Sequence, residues 1–166
     1  LYKQLTTEAP LLKPDILIAS VGTEVYSDLD CSPDLTWSEK LSTGWNRDEI
    51  TAITAHFSDL VLQPDTEQCP FKVSFFLTED ASIISLNNKL DVQLIYSSGK
   101  DLDILPRNAN KGAAMTFIRQ TLGFIPERTI VCGDSGNDIA LFAAGTERGI
   151  IVGNAQPELL AWHREN

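Results

Sequence analysis

Short apolar runs alternate with amphipathic stretches along the last third of the chain. The apolar runs are typical of buried strands, and the stretches with apolar residues at three- and four-residue spacing are typical of helices. The predicted strands and helices alternate in the order 102–105, 111–122, 129–132, 139–144, 149–152 and 157–163. Because strands that alternate with helices favour a parallel sheet covered by helices, this part of the chain predicts an α/β fold.

The earlier part of the chain shows a different pattern. The predicted elements here are, in order, a helix (1–12), two strands (15–20 and 24–26), a loop (27–44), a helix with one apolar face (Ile50, Ile53, Phe57 and Leu60), a strand (71–77), a helix (80–90), a strand (92–96) and a turn (97–100). Strands and helices do not alternate regularly in this region. Residues 25–100 therefore predict a separate α+β unit.

The amino-acid composition limits the classes of protein to which the chain can belong. The chain has 166 residues, 43% hydrophobic and 22% charged, which is ordinary for one globular domain or two small ones. The net charge of −10 disfavours nucleic acid and anionic membranes as partners, because the field of the protein repels phosphate. No apolar run is long enough to predict a membrane span. The cysteines (Cys31, Cys69 and Cys132) are odd in number and far apart, which predicts no disulfide framework and a cytoplasmic protein.

An acidic loop, Gly133-Asp134-Ser135-Gly136-Asn137-Asp138, follows one of the predicted strands and precedes a predicted helix. Ligands of α/β folds bind at the carboxyl ends of parallel strands. Two carboxylates in one short loop suit Mg²⁺, which takes a few carboxylates together with waters and phosphate oxygens. The alternative is an acidic turn that only caps the next helix. A calcium-binding EF-hand is excluded, because Gly145 stands where its loop needs a glutamate.

Lys111 opens the predicted helix 111–122. Helix N-termini attract anions through unpaired N–H groups, and a lysine there adds a full positive charge. The sequence therefore predicts a phosphate site beside the acidic loop. A solvated surface lysine is the alternative.

Several runs together resemble the sucrose-phosphatases, of the cyanobacterial type, in the haloacid dehalogenase superfamily. The resemblance is carried by SVGTEVY (20–26), PFKVS (70–74), IYSSGKD (95–101), Pro106, KG (111–112), VCGDSGND (131–138) and NAQPELL (154–160). It implies a Rossmann-like parallel-sheet core at 1–26 and 103–166 with an inserted α+β cap at 27–102. It also implies a Mg²⁺-dependent phosphatase acting on sucrose 6-phosphate.

The resemblance assigns roles to individual residues. Lys111 matches the phosphate-binding lysine, Asp134 the metal-ligating acid, and Asp138 the second acid, which orders the lysine or a metal-bound water. Both aspartates are expected to hold Mg²⁺. The sugar is expected to contact Lys72 in the cap and Ser98 and Asp101 where the cap returns to the core, although an exposed strand lysine is the alternative for Lys72. Asn137 lies between the two acids, where its amide is expected to reach sugar or phosphate.

Two family motifs have no match in the chain, and one of them is a threonine or serine that hydrogen-bonds the phosphate and is expected just before Leu1. The family's nucleophile lies on a D-x-D-x-T loop after the first core strand, which is expected to precede Leu1. Asp28-Leu29-Asp30 is a poor substitute, because no long apolar strand precedes it and no threonine follows. We therefore expect a piece of a larger phosphatase that lacks this first strand and turns over no substrate alone.

Two other functions stay open from the sequence. One is hydrolysis of a different sugar phosphate, such as mannosyl-3-phosphoglycerate, because the core motifs do not determine which sugar is recognised. The other is a non-catalytic domain that binds sugar or a sucrose-phosphate synthase partner. Retention of Lys111, Asp134 and Asp138 together favours an enzyme.

Overall fold

The computed structural model describes residues 12–27, 32–77, 86 and 90–166. Its strands are β1 (Leu17–Ala19), β2 (Glu24–Tyr26), β3 (Leu60–Leu62), β4 (Val73–Leu77), β5 (Val92–Ser97), β6 (Asp101–Pro106), β7 (Ile130–Gly133) and β8 (Arg148–Ile151). Its α-helices are α1 (Leu35–Ser42), α2 (Arg47–Thr54), α3 (Lys111–Thr121), α4 (Ile139–Phe142) and α5 (Pro157–Glu165). Short 3₁₀ turns occur at Ser20–Gly22, Asp65–Glu67, Pro126–Arg128 and Gly136–Asp138.

The strands form three sheets within the described residues. β1 and β2 make an antiparallel pair, β7 and β8 make a parallel pair, and the remaining four strands make an antiparallel sheet in the order β3-β4-β6-β5. In this four-stranded sheet Val73 faces Ile104, and Ser74 faces Asp103. Because side chains alternate across a strand, these two pairs lie on opposite faces of the sheet.

The two faces of the four-stranded sheet carry side chains of different character. One face packs into an apolar core formed by Ile50, Val73, Phe75, Leu77, Leu86, Leu102 and Ile104. The opposite face carries buried polar groups, Ser74 and Asp103 among them. A second core joins this sheet to β2, α1 and α3 through Val25, Trp37, Leu41, Ile95, Leu105, Ala109 and Ala114.

Two predictions in the first half of the chain are wrong. Residues 27–44 do not form only a loop: α1 begins after Asp34, whose side chain caps it by accepting from the backbone N–H of Trp37 at 2.8 Å. Burial of Trp37 and Leu41 outweighs the polar composition. The helix predicted to reach Leu60 ends at Thr54, and Leu60 instead pairs with Leu77 at the edge of the sheet.

The strand predicted at 102–105 is present but lies in the wrong kind of sheet. It belongs to β6, which pairs antiparallel with β4 and β5. The cause is the turn at Ser98 and Gly99, where φ angles of +57° and +68° fold β5 and β6 into a hairpin. The predicted parallel sheet is represented, within the described residues, by β7 and β8 alone.

Other predictions fall outside what the structure describes. The helices at 1–12 and 80–90 lie almost wholly there, as do Asp28 and Asp30. The predicted domain division stays a prediction, although its boundary at residue 103 falls inside β6. In the described part of the chain, no helix combines the length and the apolar character that a membrane crossing requires.

Candidate active site

Lys111 is placed by close backbone contacts around the start of α3. Asn110 caps this helix by accepting from the backbone N–H of Ala113 at 2.8 Å. A Cβ atom on Gly22, where φ is +97°, would lie 2.4 Å from the carbonyl carbon of Asn110. A Cβ atom on Gly112 would lie 2.0 Å from the carbonyl oxygen of Ala140. Only glycine permits both approaches, so backbone atoms on two sides fix the first turn of α3.

The side chain of Lys111 reaches the acidic loop. Its Nζ atom lies 2.5 Å from Oδ1 of Asn137 and 2.5 Å from Oδ1 of Asp138. The Lys111 side chain is 30% exposed, whereas that of Asp138 is 7% exposed. The alternative of a solvated surface lysine is therefore wrong, because the ammonium group is paired and the side chain is only partly exposed.

Asp138 is held from the other side by the loop itself. Its Oδ2 atom accepts from the backbone N–H groups of Asp134 at 2.8 Å and Ser135 at 3.3 Å. Gly133 makes room for it, because a Cβ atom there would lie 2.5 Å from the Cβ atom of Asp138. The capping interpretation thus holds for one oxygen of this carboxylate, while the other oxygen holds Lys111.

The surroundings of Asp138 favour its charged form. Burial acts to raise the pKa of this carboxyl, but the hydrogen bond and charge of Lys111 and the backbone N–H groups of Asp134 and Ser135 outweigh it. The net result is a pKa below the usual value. Asp138 is therefore ionised at neutral pH and orients Lys111.

Asp134 differs from Asp138 in having an open carboxylate. It is exposed, and its carboxylate accepts no hydrogen bond from a described residue, while its backbone oxygen accepts from the N–H of Gln156 at 2.6 Å. Among the described residues, no three His, Cys, Asp or Glu side chains gather into a metal-binding group. One open carboxylate beside a second acid fits Mg²⁺, which retains most of its waters.

Lys72 lies in a second polar cluster, on the face of the four-stranded sheet that carries the buried polar groups. Its Nζ atom is 3.6 Å from Oδ1 of Asp103, and the hydroxyl of Ser74 donates to the same oxygen at 2.6 Å. Lys72 is only 6% exposed, so the alternative of an exposed strand lysine is wrong. A buried ion pair of this kind is costly for a protein that gains nothing else from it.

Ser98 and Asp101 are bound by partners other than Lys72 and Lys111. Oδ1 of Asp101 accepts from the side-chain amide of Gln63 at 3.0 Å. Ser98 is exposed in the β5–β6 turn, and its backbone N–H donates to Oε1 of Glu158 at 3.0 Å. Among the described residues, no hydrogen bond joins Ser98 or Asp101 to Lys111. Their predicted roles stay predictions.

The sequence interpretation missed Asp103 and Glu158. Asp103 stands between the apolar residues Leu102 and Ile104, a signal for one polar face on an otherwise buried strand. Glu158 accepts from the backbone N–H groups of Ser98 at 3.0 Å and Gly136 at 3.3 Å. Its place in the run NAQPELL gave no sign of either partner.

Comparison with known families agrees with this geometry. The sequence profile of the Sucrose-6F-phosphate phosphohydrolase family matches residues 1–166. The chain belongs to this family. Sucrose-phosphatase 2 of Nicotiana tabacum is 45% identical over the whole chain, and the chain spans 42% of that relative, less than half its length. A mannosylfructose-phosphate phosphatase of Agrobacterium fabrum is 35% identical, with 98% of the chain and 68% of the relative covered.

A solved member of the family has the same fold. The sucrose-phosphatase of Synechocystis, in complex with sucrose and phosphate, superposes with a TM-score of 0.89 at 41% identity, covering 99% of this chain and 69% of that one. The predicted α/β fold of the haloacid dehalogenase type is therefore confirmed.

Proposed function

We propose that this chain supplies the phosphate-binding and sugar-binding groups of a Mg²⁺-dependent phosphohydrolase that converts sucrose 6-phosphate to sucrose and phosphate. The observation that carries the proposal is the contact of Lys111 with Asn137 and Asp138 beside the open carboxylate of Asp134. Membership of the Sucrose-6F-phosphate phosphohydrolase family supports it.

The phosphate side is built from Lys111 and the acidic loop. The ammonium group of Lys111 is oriented by Asp138 and stays partly open to solvent, so it can bind phosphoryl oxygens without losing its partner. When bound, Mg²⁺ would be held by Asp134, with Asp138 acting through water because protein donors engage both its oxygens, and it would neutralise charge on the phosphoryl group. Preorganised positive charge of this kind stabilises the transition state of phosphoryl transfer.

The sugar side is built from the buried polar face of the four-stranded sheet. Lys72, Ser74 and Asp103 offer donors and acceptors that are already aligned by the strand register. A sugar hydroxyl both donates and accepts, so a lysine beside a carboxylate suits it. The Synechocystis sucrose-phosphatase was solved in complex with sucrose and phosphate, and this complex supports ligands of the same class here. Ser98, Asp101 and Asn137 complete the proposed set.

The nucleophile is not assigned to any described residue. The prediction of a D-x-D-x-T loop before Leu1 stays a prediction, as does a sucrose-phosphate synthase partner. In this proposal the described residues bind and orient the phosphoryl group and the sugar, and Asp138 orients Lys111.

A second candidate substrate is a different disaccharide phosphate. The 35% identity to a mannosylfructose-phosphate phosphatase over almost the whole chain favours this class. In this proposal Lys111, Asp134 and Asp138 bind the phosphoryl group that both substrates share, so the sugar side decides between them.

The test is phosphate release by the protein as it is encoded, including any residues before Leu1. Sucrose 6-phosphate, mannosylfructose phosphate and glucose 6-phosphate are compared with Mg²⁺ and with EDTA. We expect the highest kcat/KM for sucrose 6-phosphate and loss of activity in EDTA.

The matched variants are Asp134→Asn and Asp15→Asn, since both remove an exposed carboxylate. Only Asp134→Asn is expected to lower the rate of Mg²⁺-dependent phosphate release, by about 100-fold or more. Activity that is insensitive to EDTA and to Asp134→Asn contradicts the proposal.

A further inference from the structure

Glu158 joins two parts of the molecule that are far apart in sequence. Its Oε1 atom accepts from Ser98, 60 residues away in the β5–β6 turn, and from Gly136, 22 residues away in the acidic loop. We propose that Glu158 is a positioning residue, whose carboxylate ties the β5–β6 turn to the acidic loop. It thereby sets the distance between the sheet that carries Lys72 and the site of Lys111. The part of this inference that concerns substrate rests on the function proposed above.

Packing around Gly136 supports this role. A Cβ atom on Gly136 would lie 2.8 Å from Cγ of Glu158 and 2.8 Å from the backbone oxygen of Tyr96. Tyr96 is in β5, so the loop is in close contact with the end of that strand on one side and with Glu158 on the other. The glycine allows the three segments to approach without a side chain between them.

The charge of Glu158 strengthens both hydrogen bonds. Partial burial acts to raise the pKa of this carboxyl, but the backbone N–H groups of Glu158 itself, Ser98 and Gly136 outweigh it and the pKa is lowered. Hydrogen bonds to an ionised acceptor are about twice as strong as those between neutral groups. The turn and the loop are therefore held by a charged acceptor rather than by apolar contact alone.

The contacts that hold Asp138 and Lys111 together do not involve Glu158. Asp138 accepts from Asp134 and Ser135 and pairs with Lys111, and none of these contacts passes through Glu158. Loss of the Glu158 carboxylate would release the turn and leave the Lys111 pair in place. Binding of inorganic phosphate should then persist while correct placement of a whole sugar phosphate is lost.

The test compares Glu158→Ala and Glu158→Gln in the protein as encoded. Glutamine keeps an acceptor oxygen, so it should restore most of what alanine removes. Glu165→Ala, which changes an exposed glutamate of the same helix, is the matched control. Two kinds of measurement are made. Amide hydrogen exchange at Ser98 and Gly136 is followed by NMR, and KM and kcat for sucrose 6-phosphate are determined together with the Kd of inorganic phosphate in the presence of Mg²⁺.

For Glu158→Ala we expect amide exchange about tenfold faster at Ser98 and Gly136. We also expect KM for sucrose 6-phosphate to rise about tenfold, while kcat and the Kd of inorganic phosphate change less than about threefold. Unchanged exchange at both amides overturns the inference, as does an equal loss of phosphate and sugar phosphate binding. If wild-type protein releases no phosphate from any sugar phosphate, the proposed function fails, and the exchange rates alone decide the role of Glu158.

Discussion

The two lysines of the candidate site form ion pairs of opposite character. Lys111 makes a short contact of 2.5 Å with Asp138 and remains 30% exposed. Lys72 lies 3.6 Å from Asp103, and both side chains are buried, at 8% and 11% exposed. In the proposed function, the first pair keeps a charge available to an incoming anion, and the second offers aligned donors and acceptors to a sugar. The two proposed roles thus rest on pairs that differ in burial.

The largest expected effect is the loss of activity when Lys111 is replaced, and it should extend to every phosphate ester. Lys111→Ala should lower kcat/KM for every phosphate ester by about 100- to 1000-fold, because it removes a preorganised charge from the phosphoryl group. The measurement is phosphate release from sucrose 6-phosphate and from a small aryl phosphate. The control is Lys13→Ala, an exposed lysine in another part of the chain, which should match wild type. A loss of activity confined to the sugar phosphate would contradict the assignment of Lys111 to the phosphoryl group.

A somewhat smaller effect is expected on the sugar side, in stability as well as in binding. Lys72→Met keeps an unbranched side chain that is one atom shorter but leaves the carboxylate of Asp103 buried without its partner, which should lower the free energy of unfolding by about 3 kcal/mol in urea melts. KM for sucrose 6-phosphate should rise, and hydrolysis of the aryl phosphate should not change.

The double variant Lys72→Met, Asp103→Leu separates the effect on stability from the effect on sugar binding. Replacing both charges with apolar groups should restore most of the stability, since a buried ion pair contributes little over apolar packing. The raised KM should persist, because the sugar has lost both groups. Recovery of KM together with stability would show that the pair has a structural role alone.

The smallest expected effect is a pH dependence of stability on the phosphate side. The pKa of Asp138 is lower in the folded protein than its ordinary value, so its contribution to stability is fully present above the unfolded pKa of about 4. This contribution is lost as the pH falls through the lower folded pKa. The difference in unfolding free energy between wild type and Asp138→Asn should be constant from pH 7 to 5 and shrink below about pH 4. A difference that grows in acid would contradict this assignment.

The sequence predicted the phosphate side more fully than the sugar side for a physical reason. Asp134, Asn137 and Asp138 lie within five residues, and Lys111 opens a helix that the apolar spacing predicts, so short motifs carried the family resemblance that assigned their roles. Asp103 meets Lys72 and Ser74 only through strand pairing between β4 and β6, which no local pattern specifies. The same limit explains why the strand at 102–105, in β6, was mistaken for part of a parallel sheet. Contacts across 60 residues, such as that of Glu158 with Ser98, cannot be inferred from local spacing.

The two glycines that flank the start of α3 limit how the protein can change through mutation. Gly22 and Gly112 each leave room for backbone atoms of a neighbouring segment and for nothing larger. A methyl group at either position would have to displace the entire helix, and the ammonium group of Lys111 would move with it. The position of the Lys111 ammonium group therefore depends on both of these positions remaining glycine.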